Sequence, residues 1–334
     1  MTQTVYKKGA NETIIVLEIP VDAKTNEDRS KIVDPLYAQY RCDKAKVVKI
    51  YKQNTGEEQH ETMNLYSSQG TQKYEVGKLI TVDYDENKNK VCSEGIHYFK
   101  TEDQAKMYEL NTTNYTGQYL SWHDNGQMYI KCNYVNGKCE GEYLSWHSNG
   151  QMHLKCQYVN GKREGEHLLW YFYGQIYEKR NYVNGKREGE YLSWHSNGQI
   201  YEKCNYVKGK REGEYQSWYE NGQMEEKCNY VNNRQEGEHL FWHSNGQIYE
   251  KCNYVKGKRE GEYLLWHENG QMQKKCQYVN NELKGEYLLW YENGQNSEKC
   301  NYVKGKREGE HQSWYSNGQL AKKSNYKKIS YVDE

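Results

Sequence analysis

Residues Gly189–Glu212 read GEYLSWHSNGQIYEKCNYVKGKRE, and this 24-residue unit recurs. Its opening glycine returns at Gly117, Gly141, Gly165, Gly189, Gly213, Gly237, Gly261, Gly285 and Gly309. All nine tryptophans stand five residues after these glycines, from Trp122 to Trp314, and a tyrosine stands 17 residues after each, from Tyr134 to Tyr326. Nine copies in register, with no insertion, are the signature of a repeat protein whose units bury their faces on their neighbours.

Within the unit, Glu190–His195 and Gln199–Tyr206 alternate at period two around Ser196-Asn197-Gly198. Aromatic and β-branched residues split by Asn-Gly signal a hairpin. The glycine frequency and the lack of a 3.6-residue stripe argue against helix. A two-residue Asn-Gly turn would pair Trp194 with Tyr201. A three-residue Ser-Asn-Gly loop pairs Trp194 with Ile200, Leu192 with Glu202 and Glu190 with Cys204. The second register gathers Trp194, Leu192, Ile200, Cys204 and Tyr206 on one face and is the one expected, because a one-residue slip exchanges faces. It requires positive φ at Gly198 and its eight equivalents. Val207–Gly213 is polar and Gly-rich, so it is expected to be the longer loop. With strands about 4.8 Å apart, the hairpins would make a single-layer rod on the order of 85 Å.

The series Asn-Gly-x-x-Tyr, then aromatic-x-x-Gly-Lys, then a new Gly resembles the MORN repeat. The closest form is the variant of bacterial antitoxin-like proteins and giant-virus repeat proteins. The resemblance covers Tyr115 to about Tyr326. The chain departs from the pattern in the Tyr201–Tyr206 spacing, which is one residue longer, and at Cys204, where the pattern has a Gly. The resemblance implies a scaffold, dimeriser or membrane-associated tether, not a catalyst. The fold class expected is mainly β: an elongated single-layer antiparallel β-hairpin array of nine 24-residue MORN-like repeats over residues 111–326. A small N-terminal α+β domain over 1–110 precedes it and a tail over 327–334 follows.

The first 110 residues contain no repeat. Thr13–Ile19, Ala45–Tyr51, Lys78–Tyr84 and Ile96–Phe99 read as strands. Thr101-Glu-Asp-Gln104 is a capping box, which predicts a helix over Glu102–Leu110. The motifs Arg41-Cys-Asp-Lys-Ala-Lys-Val, Tyr74-Glu-Val-Gly-Lys78, Cys92–Phe99 and Ala105-x-x-Tyr108 are similar to an uncharacterised domain of giant-virus and phage proteins. That resemblance implies companionship with repeats and no activity. This domain is expected to cover the open sheet edge near Tyr115, and lysines at 322, 323, 327 and 328 to protect the other edge.

Lys plus Arg equal Asp plus Glu at 46 each, so no nucleic-acid partner is expected. Tyrosine is used 35 times, which suits a thin sheet that buries a ring and wets its tip. The start has no apolar core run, and Ile14–Leu17 is far too short to span a bilayer. An intracellular, cytoplasmic chain is the expectation.

Seven cysteines, Cys132, Cys156, Cys204, Cys228, Cys252, Cys276 and Cys300, share one repeat position. Equivalent positions lie about 9–10 Å apart, too far for a disulfide or a shared zinc ion. They read as small reduced core residues, and Cys139 as a surface thiol. His123, His147, His195, His243 and His267 follow their tryptophans, and Tyr takes that place in the other four copies. Such exchange argues for a polar face, not a ligand set. Cys92 and His97 are the pair that nucleophilic chemistry would use, but no third group orients them, and both read as structural.

The connections carry Lys162-Arg163, Lys186-Arg187, Lys210-Arg211, Lys258-Arg259 and Lys306-Arg307, each followed by Glu. They are the candidate lipid-facing residues, worth about 1 kcal/mol each near an anionic membrane. The bland alternative is a solvated loop whose cations pair with their own Glu. The function expected is a non-enzymatic scaffold for a protein partner, through an exposed apolar sheet face. Tethering to an anionic membrane surface and antitoxin-like neutralisation of a partner are the alternatives. No catalytic residue, metal, cofactor, nucleic acid or small-molecule substrate is expected.

Overall fold

A computed structural model describes residues 2–64 and 71–327. The tail expected from 327 onward lies, from residue 328, outside the described residues. The chain divides into two compact units, Met1–Arg163 with Phe172–Gly174, and Glu164–Tyr171 with Gln175–Glu334.

The N-terminal domain holds β1 (Gln3–Lys8), β2 (Thr13–Ile19), β3 (Gln39–Cys42), β4 (Lys44–Lys52), β5 (Glu61–Met63), β6 (Lys73–Glu75), β7 (Leu79–Thr81), β8 (Ile96–Phe99) and α1 (Glu102–Met107). Six of the strands form an antiparallel sheet in the order β3-β8-β1-β2-β4-β7, and β5 pairs with β6. Strand β2 is covered on both faces: Ile15, Leu17 and Ile19 join the main core with Val5, Tyr40 and Tyr98, while Ile14 packs under α1 with Phe99 and Ala105. This explains its continuous apolar run. Thr101 caps α1 through a 3.4 Å bond from the Gln104 N–H. The helix ends at Met107 and not at Leu110, because Tyr108 is extended and Glu109 takes φ +49°. Lys78–Tyr84 contracts to β7, and β1, β3, β5 and β6 are strands that the pattern did not announce.

The array is an open antiparallel sheet of hairpins. Among the described residues, Gly117–Trp122 pairs with Met128–Val135 at one end of the ladder, and Leu320–Tyr326 with Gly309–Trp314 at the other. The three-residue loop is as expected. In Gly189–Glu212 the Gly198 N–H bonds the His195 carbonyl at 3.0 Å, and the His195 N–H bonds the Gln199 carbonyl at 2.8 Å. Gly198 has φ +90°, and its eight equivalents lie between +79° and +91°. Trp194 pairs with Ile200, also as expected.

One residue further the expected register fails. Ser193 pairs with Glu202, Tyr191 with Cys204 and Gly189 with Tyr206, so Tyr201 is an extra residue, a β-bulge. The bulge moves Glu202, Cys204 and Tyr206 to the face opposite Trp194 and Leu192. The same shift follows the Trp pair in the other hairpins, for example at Tyr129 and Glu225. Trp194 and Cys204 therefore lie on opposite faces, although the loop is not the two-residue turn.

The second connection is also shorter than expected. Val207 pairs with Lys210, leaving Lys208 and Gly209 at φ +51° and +84°. Two residues of positive φ form a type I′ turn, whose twist matches a hairpin. The strand resumes at Lys210-Arg211, and Arg211 pairs with Tyr206. Asn occupies the first turn position at Asn136, Asn160, Asn184, Asn232 and Asn280.

The linker closes the start of the array with a partial repeat. The Tyr115 carbonyl accepts the Gly137 N–H at 2.9 Å, as the Arg187 carbonyl accepts Gly209 at 2.8 Å. Thr116 Oγ1 accepts the Asn136 N–H, in the place of the Glu188 carboxylate. The N-terminal domain also grips the first turn. The N–H groups of Val33 and Asp34 donate to the Asn125 carbonyl, Gln39 and Arg29 donate to Asp124, and Tyr37 stacks on Trp122 at 4.8 Å.

Lysine at φ +51° carries a left-handed cost that Asn tolerates better. Lys208→Asn should raise stability by about 0.5 kcal/mol and Gly209→Ala lower it by about 1 kcal/mol, read from urea midpoints. Equal midpoints for the two variants contradict the turn type. Removing residues 1–110 uncovers the first hairpin and should cause self-association in sedimentation velocity. A monodisperse truncation shows that the domain is not a cap.

Candidate functional site

The bulge at Tyr201 gives the two faces of the array different characters. One face carries Tyr191, Ser193, Glu202, Cys204, Tyr206 and Arg211. Tyr191 and Tyr206 meet edge to face at 6.0 Å, and Tyr215 and Tyr230 at 5.8 Å. Arginines lie over these rings: Arg187 at 5.6 and 5.1 Å from Tyr191 and Tyr206, Arg211 at 4.9 and 5.5 Å from Tyr215 and Tyr230. Each such contact is worth about 0.5–1 kcal/mol or more when desolvated. Arg211 also reaches Glu202 at 2.9 Å. Beneath this layer Cys204 is buried, and burial together with Glu202 pushes its thiol up to about 12. This face is sealed by its own tall side chains.

The other face stays open. Trp194 lies beside Ile200, Leu192 beside Lys203, and Val207 is 39% exposed. Val231, Val255 and Val279 repeat that exposure in the following hairpins. Between the apolar rows run Glu–Lys pairs, Glu190–Lys203 at 3.3 Å, Glu214–Lys227 at 2.6 Å and Glu238–Lys251 at 2.6 Å. These pairs are about half exposed and so are worth at most ~1 kcal/mol each. The result is a regular apolar and charged lattice, which Tyr37 of the N-terminal domain meets at Trp122.

The edge formed by the three-residue turns is tied repeat to repeat. His195 Nε2 bonds the Trp218 carbonyl at 2.6 Å, and the Tyr219 hydroxyl donates to Trp242 at 2.7 Å. His and Tyr exchange here because each ring ends in a donor at the same reach. The Asn197 amide donates to the Glu220 carbonyl at 2.6 Å and Asn245 to Glu268 at 2.9 Å, so Asn also bridges units.

The candidate lipid-facing residues split into two groups. Lys162, Lys186, Lys210, Lys258 and Lys306 are exposed at the type I′ edge. Arg163, Arg187, Arg211, Arg259 and Arg307 are half-buried and turn onto the tyrosine face. Arg163 donates to the Tyr158 hydroxyl at 3.4 Å, Arg259 to Tyr254 at 3.2 Å and Arg307 to Tyr302 at 3.0 Å. The glutamate of Lys-Arg-Glu does not serve its own neighbours. Glu188 accepts the Lys208 N–H and Glu212 the Asn232 N–H, both in the following turn.

Cys92 and His97 do not form an activated pair. His97 Nε2 bonds the Ser93 carbonyl at 2.7 Å and Nδ1 meets the Gln39 amide at 3.2 Å, so both ring nitrogens are engaged. Burial raises the Cys92 thiol and lowers His97. Cys139 is half-buried and not a surface thiol: a hydrogen bond with the Cys132 thiol lowers it. Arg41, fully buried, donates to the carbonyls of Asp85, Asn87, Lys90 and Glu94 and so holds the 85–94 loop. Two sets could hold a metal ion, Glu226–Cys228–His239 and His239–Glu250–Cys252. Cysteine-to-cysteine spacing along the array does not bring these sets out. The histidine that replaces Tyr one strand away was the signal.

A model of the MORN repeat variant matches residues 115–136, 140–160, 187–208, 211–232, 235–256, 259–280 and 307–328. The chain is a MORN-repeat protein. A family of unknown function, DUF5758, matches residues 2–105. The MORN hairpins built on Gly165 and Gly285 lie outside the matched spans yet keep the same pairings. Their departures are local: Phe172-Tyr173 replaces Ser-Asn before Gly174, and Asn296-Ser297 replaces an apolar pair. No curated protein matches the chain. A solved structure entitled "Crystal Structure of TcdB2-TccC3-Cdc42" aligns at 10% identity and a TM-score of 0.17, covering 90% of this chain. The chain spans 18% of that one's length, and a likeness this weak carries no argument.

MORN repeats are a non-catalytic repeat scaffold, consistent with protein or membrane interaction. Among the described residues no helix is long and apolar enough to cross a membrane. In this array the ring donors hold the units together. His195→Tyr should leave the urea midpoint unchanged, because Tyr219 makes the same bond, and His195→Ala should lower stability by about 1 kcal/mol. Equal loss in both variants shows that the donor at the ring tip is not what matters.

Proposed function

We propose that this chain is a non-enzymatic scaffold that binds a protein partner across the Trp/Leu/Val face of its array. The supporting observation is the asymmetry of the faces. The tyrosine face is filled by Arg, Glu and Cys from the chain itself, whereas Ile200, Val207, Val231, Ile248, Val255 and Val279 are exposed, and Leu192 and Trp194 half-exposed, between ordered Glu–Lys pairs. Exposed apolar rows rimmed by charge mark contact surfaces. The 24-residue repeat offers the same pattern to an extended partner at regular intervals. Neutralisation of a toxin would be one instance of such binding.

Tethering to anionic lipid is the second reading. It is supported by the exposed lysines of the type I′ edge, whose neighbouring glutamates are taken by backbone N–H groups. The arginines point onto tyrosines, so five lysines, at about 1 kcal/mol each, would carry the attraction.

Gln216 and Gln312 already stand where Leu240 and Leu264 stand, so Leu240→Gln, Leu264→Gln and Val255→Lys can be combined without breaking the sheet. The triple variant should keep the far-ultraviolet dichroism of the parent and lose about tenfold or more in recovery of a stoichiometric partner from native extract. Recovery by the parent should persist at high salt. Undiminished recovery by the variant refutes the face assigned here. Salt-sensitive sedimentation with phosphatidylserine vesicles, lost when Lys162, Lys186, Lys210, Lys258 and Lys306 become Gln, supports the second reading instead.

A further inference from the structure

One repeat departs from its neighbours at two positions that face each other. Five units carry a glutamate at one position of the tyrosine face, and in three of them an arginine nine residues on holds it: Glu202 by Arg211 at 2.9 Å, Glu298 by Arg307 at 2.5 Å and Glu250 by Arg259 at 3.7 Å. In the unit of Gly213–Glu236 the glutamate remains, as Glu226, but Gln235 replaces the arginine. In the next strand the tyrosine found at Tyr191, Tyr215, Tyr263 and Tyr287 is replaced by His239. A cationic side chain has been removed and an imidazole brought to the same carboxylate.

His239 is 4% exposed and Cys228 is 3% exposed. His239 Nε2 lies 2.9 Å from Glu226 Oε1, Cys228 Sγ lies 3.7 Å from the same oxygen, and the three donor atoms fall within 4.8 Å of one another. Around a tetrahedral zinc ion, bonds of about 2.0–2.3 Å place ligand atoms roughly 3.3–3.8 Å apart, so closure needs shifts of about 1 Å. Thiolate, imidazole and carboxylate form a donor set for a borderline divalent cation, and a thiolate with a carboxylate balances its charge.

We propose that Glu226, Cys228 and His239 Nε2 bind one zinc-class divalent ion, with water in the fourth position, tying the unit of Gly213–Glu236 to that of Gly237–Glu260. Loading replaces the Cys228 thiol proton and the hydrogen that His239 shares with Glu226; the imidazole then carries its hydrogen on Nδ1. That nitrogen faces Cys252 Sγ at 4.0 Å, with Glu250 beside it, so acceptors across the ring fix the tautomer a ligand needs. The ion sits on the Glu226 side because Arg259 already competes for Glu250.

Neighbouring histidines supply built-in comparisons. His311 has the same bond to its glutamate, Glu298 at 3.0 Å, but Arg307 holds that carboxylate and Ser324 stands on its other side. His167 faces Arg180, which also takes Glu178 at 3.0 Å. Where the arginine is lost at Leu283, the glutamate is lost too, replaced by Lys274 over Tyr263 and Tyr287. Glu226 thus keeps its carboxyl group where the usual arginine is absent.

The test uses the full chain, stripped with chelator and titrated with Zn(II) or Co(II). The expected result is one tight equivalent and, with cobalt, a thiolate-to-metal charge-transfer band. His239→Tyr and Gln235→Arg both restore residues that other repeats use, so each should fold normally. His239→Tyr should abolish the equivalent, and Gln235→Arg should weaken it by about 10–100-fold. Cys228→Ser should remove the band, and Cys300→Ser should leave it. Weak binding by the parent, equal binding by His239→Tyr, or a band that survives Cys228→Ser overturns the site.

Discussion

A stack of tyrosine rings with arginine between them takes the place of a second layer in this molecule. A sheet one strand thick has nothing beneath it, so each unit must cover one face with its own side chains. Tyr191, Tyr206 and Arg187 do so, and the short residues Ser193 and Cys204 lie buried below them. Large rings are needed because they reach across the roughly 4.8 Å between strands and meet their neighbours edge to face. Arginine joins them because its planar cation can lie on a ring and still donate to a hydroxyl or carboxylate. The tall rings gather on one face, and the Trp, Leu, Ile and Val side chains of the other face stay partly exposed. The uncovered face is therefore a consequence of how the sheet is stabilised, and a partner that covers it needs no new element in the fold.

The bulge at Tyr201 makes this division possible, and no residue type announces it. The glycine of the three-residue loop was legible because positive φ at every copy calls for glycine. A bulge near the right-handed region accepts any residue, here Tyr201, Tyr129 or Glu225, so the alternation looks unbroken while its parity changes. The loop therefore sets the face of Trp194 and Ile200 but not that of Glu202, Cys204 and Tyr206. The Val207–Gly213 connection misled for a related reason. Lys208 sits in a conformation that Asn holds elsewhere, and Lys-Gly followed by charge looks like solvated loop, although the strand resumes two residues later. The period, the hairpins, the positive-φ loop and the small leading domain were readable because backbone constraints impose them. Side-chain partners one unit away were not, since Glu188 bonding Lys208 and His195 bonding Trp218 follow from the stacking distance.

Repetition also explains why substitutions in the array come in sets. Each side chain on the tyrosine face touches its own hairpin and the next, so one change alters the charge balance seen by two units. Lys274 and Leu283 replace the glutamate and the arginine together, so no carboxylate is left without its arginine. Gln235 removes only the arginine, and His239 arrives beside the glutamate left behind. In a core of pure hydrocarbon a missing partner leaves a cavity; here it leaves a half-buried carboxyl group that a cation or donor must meet. The histidine bond meets that need in part.

The start of the array shows the same economy applied to a strand edge. An open sheet needs a cover for its first strand, and the linker supplies one from the repeat's own parts. Tyr115 takes the place of an arginine, meeting Tyr134 edge to face at 6.4 Å, and Thr116 replaces the glutamate that would cap the next turn. The N-terminal domain then locks the other end of that hairpin, where the ideal Cβ of any residue replacing Gly126 would lie 2.0 Å from the Asp34 carbonyl oxygen. Glycine at this position thus answers two demands at once, positive φ for the loop and room for a foreign backbone. At Gly198 the closest atom to such a Cβ is a flexible Gln175 amide, which can move aside. The same glycine in the same repeat position is therefore replaceable at moderate cost inside the array and irreplaceable where the domain closes on it.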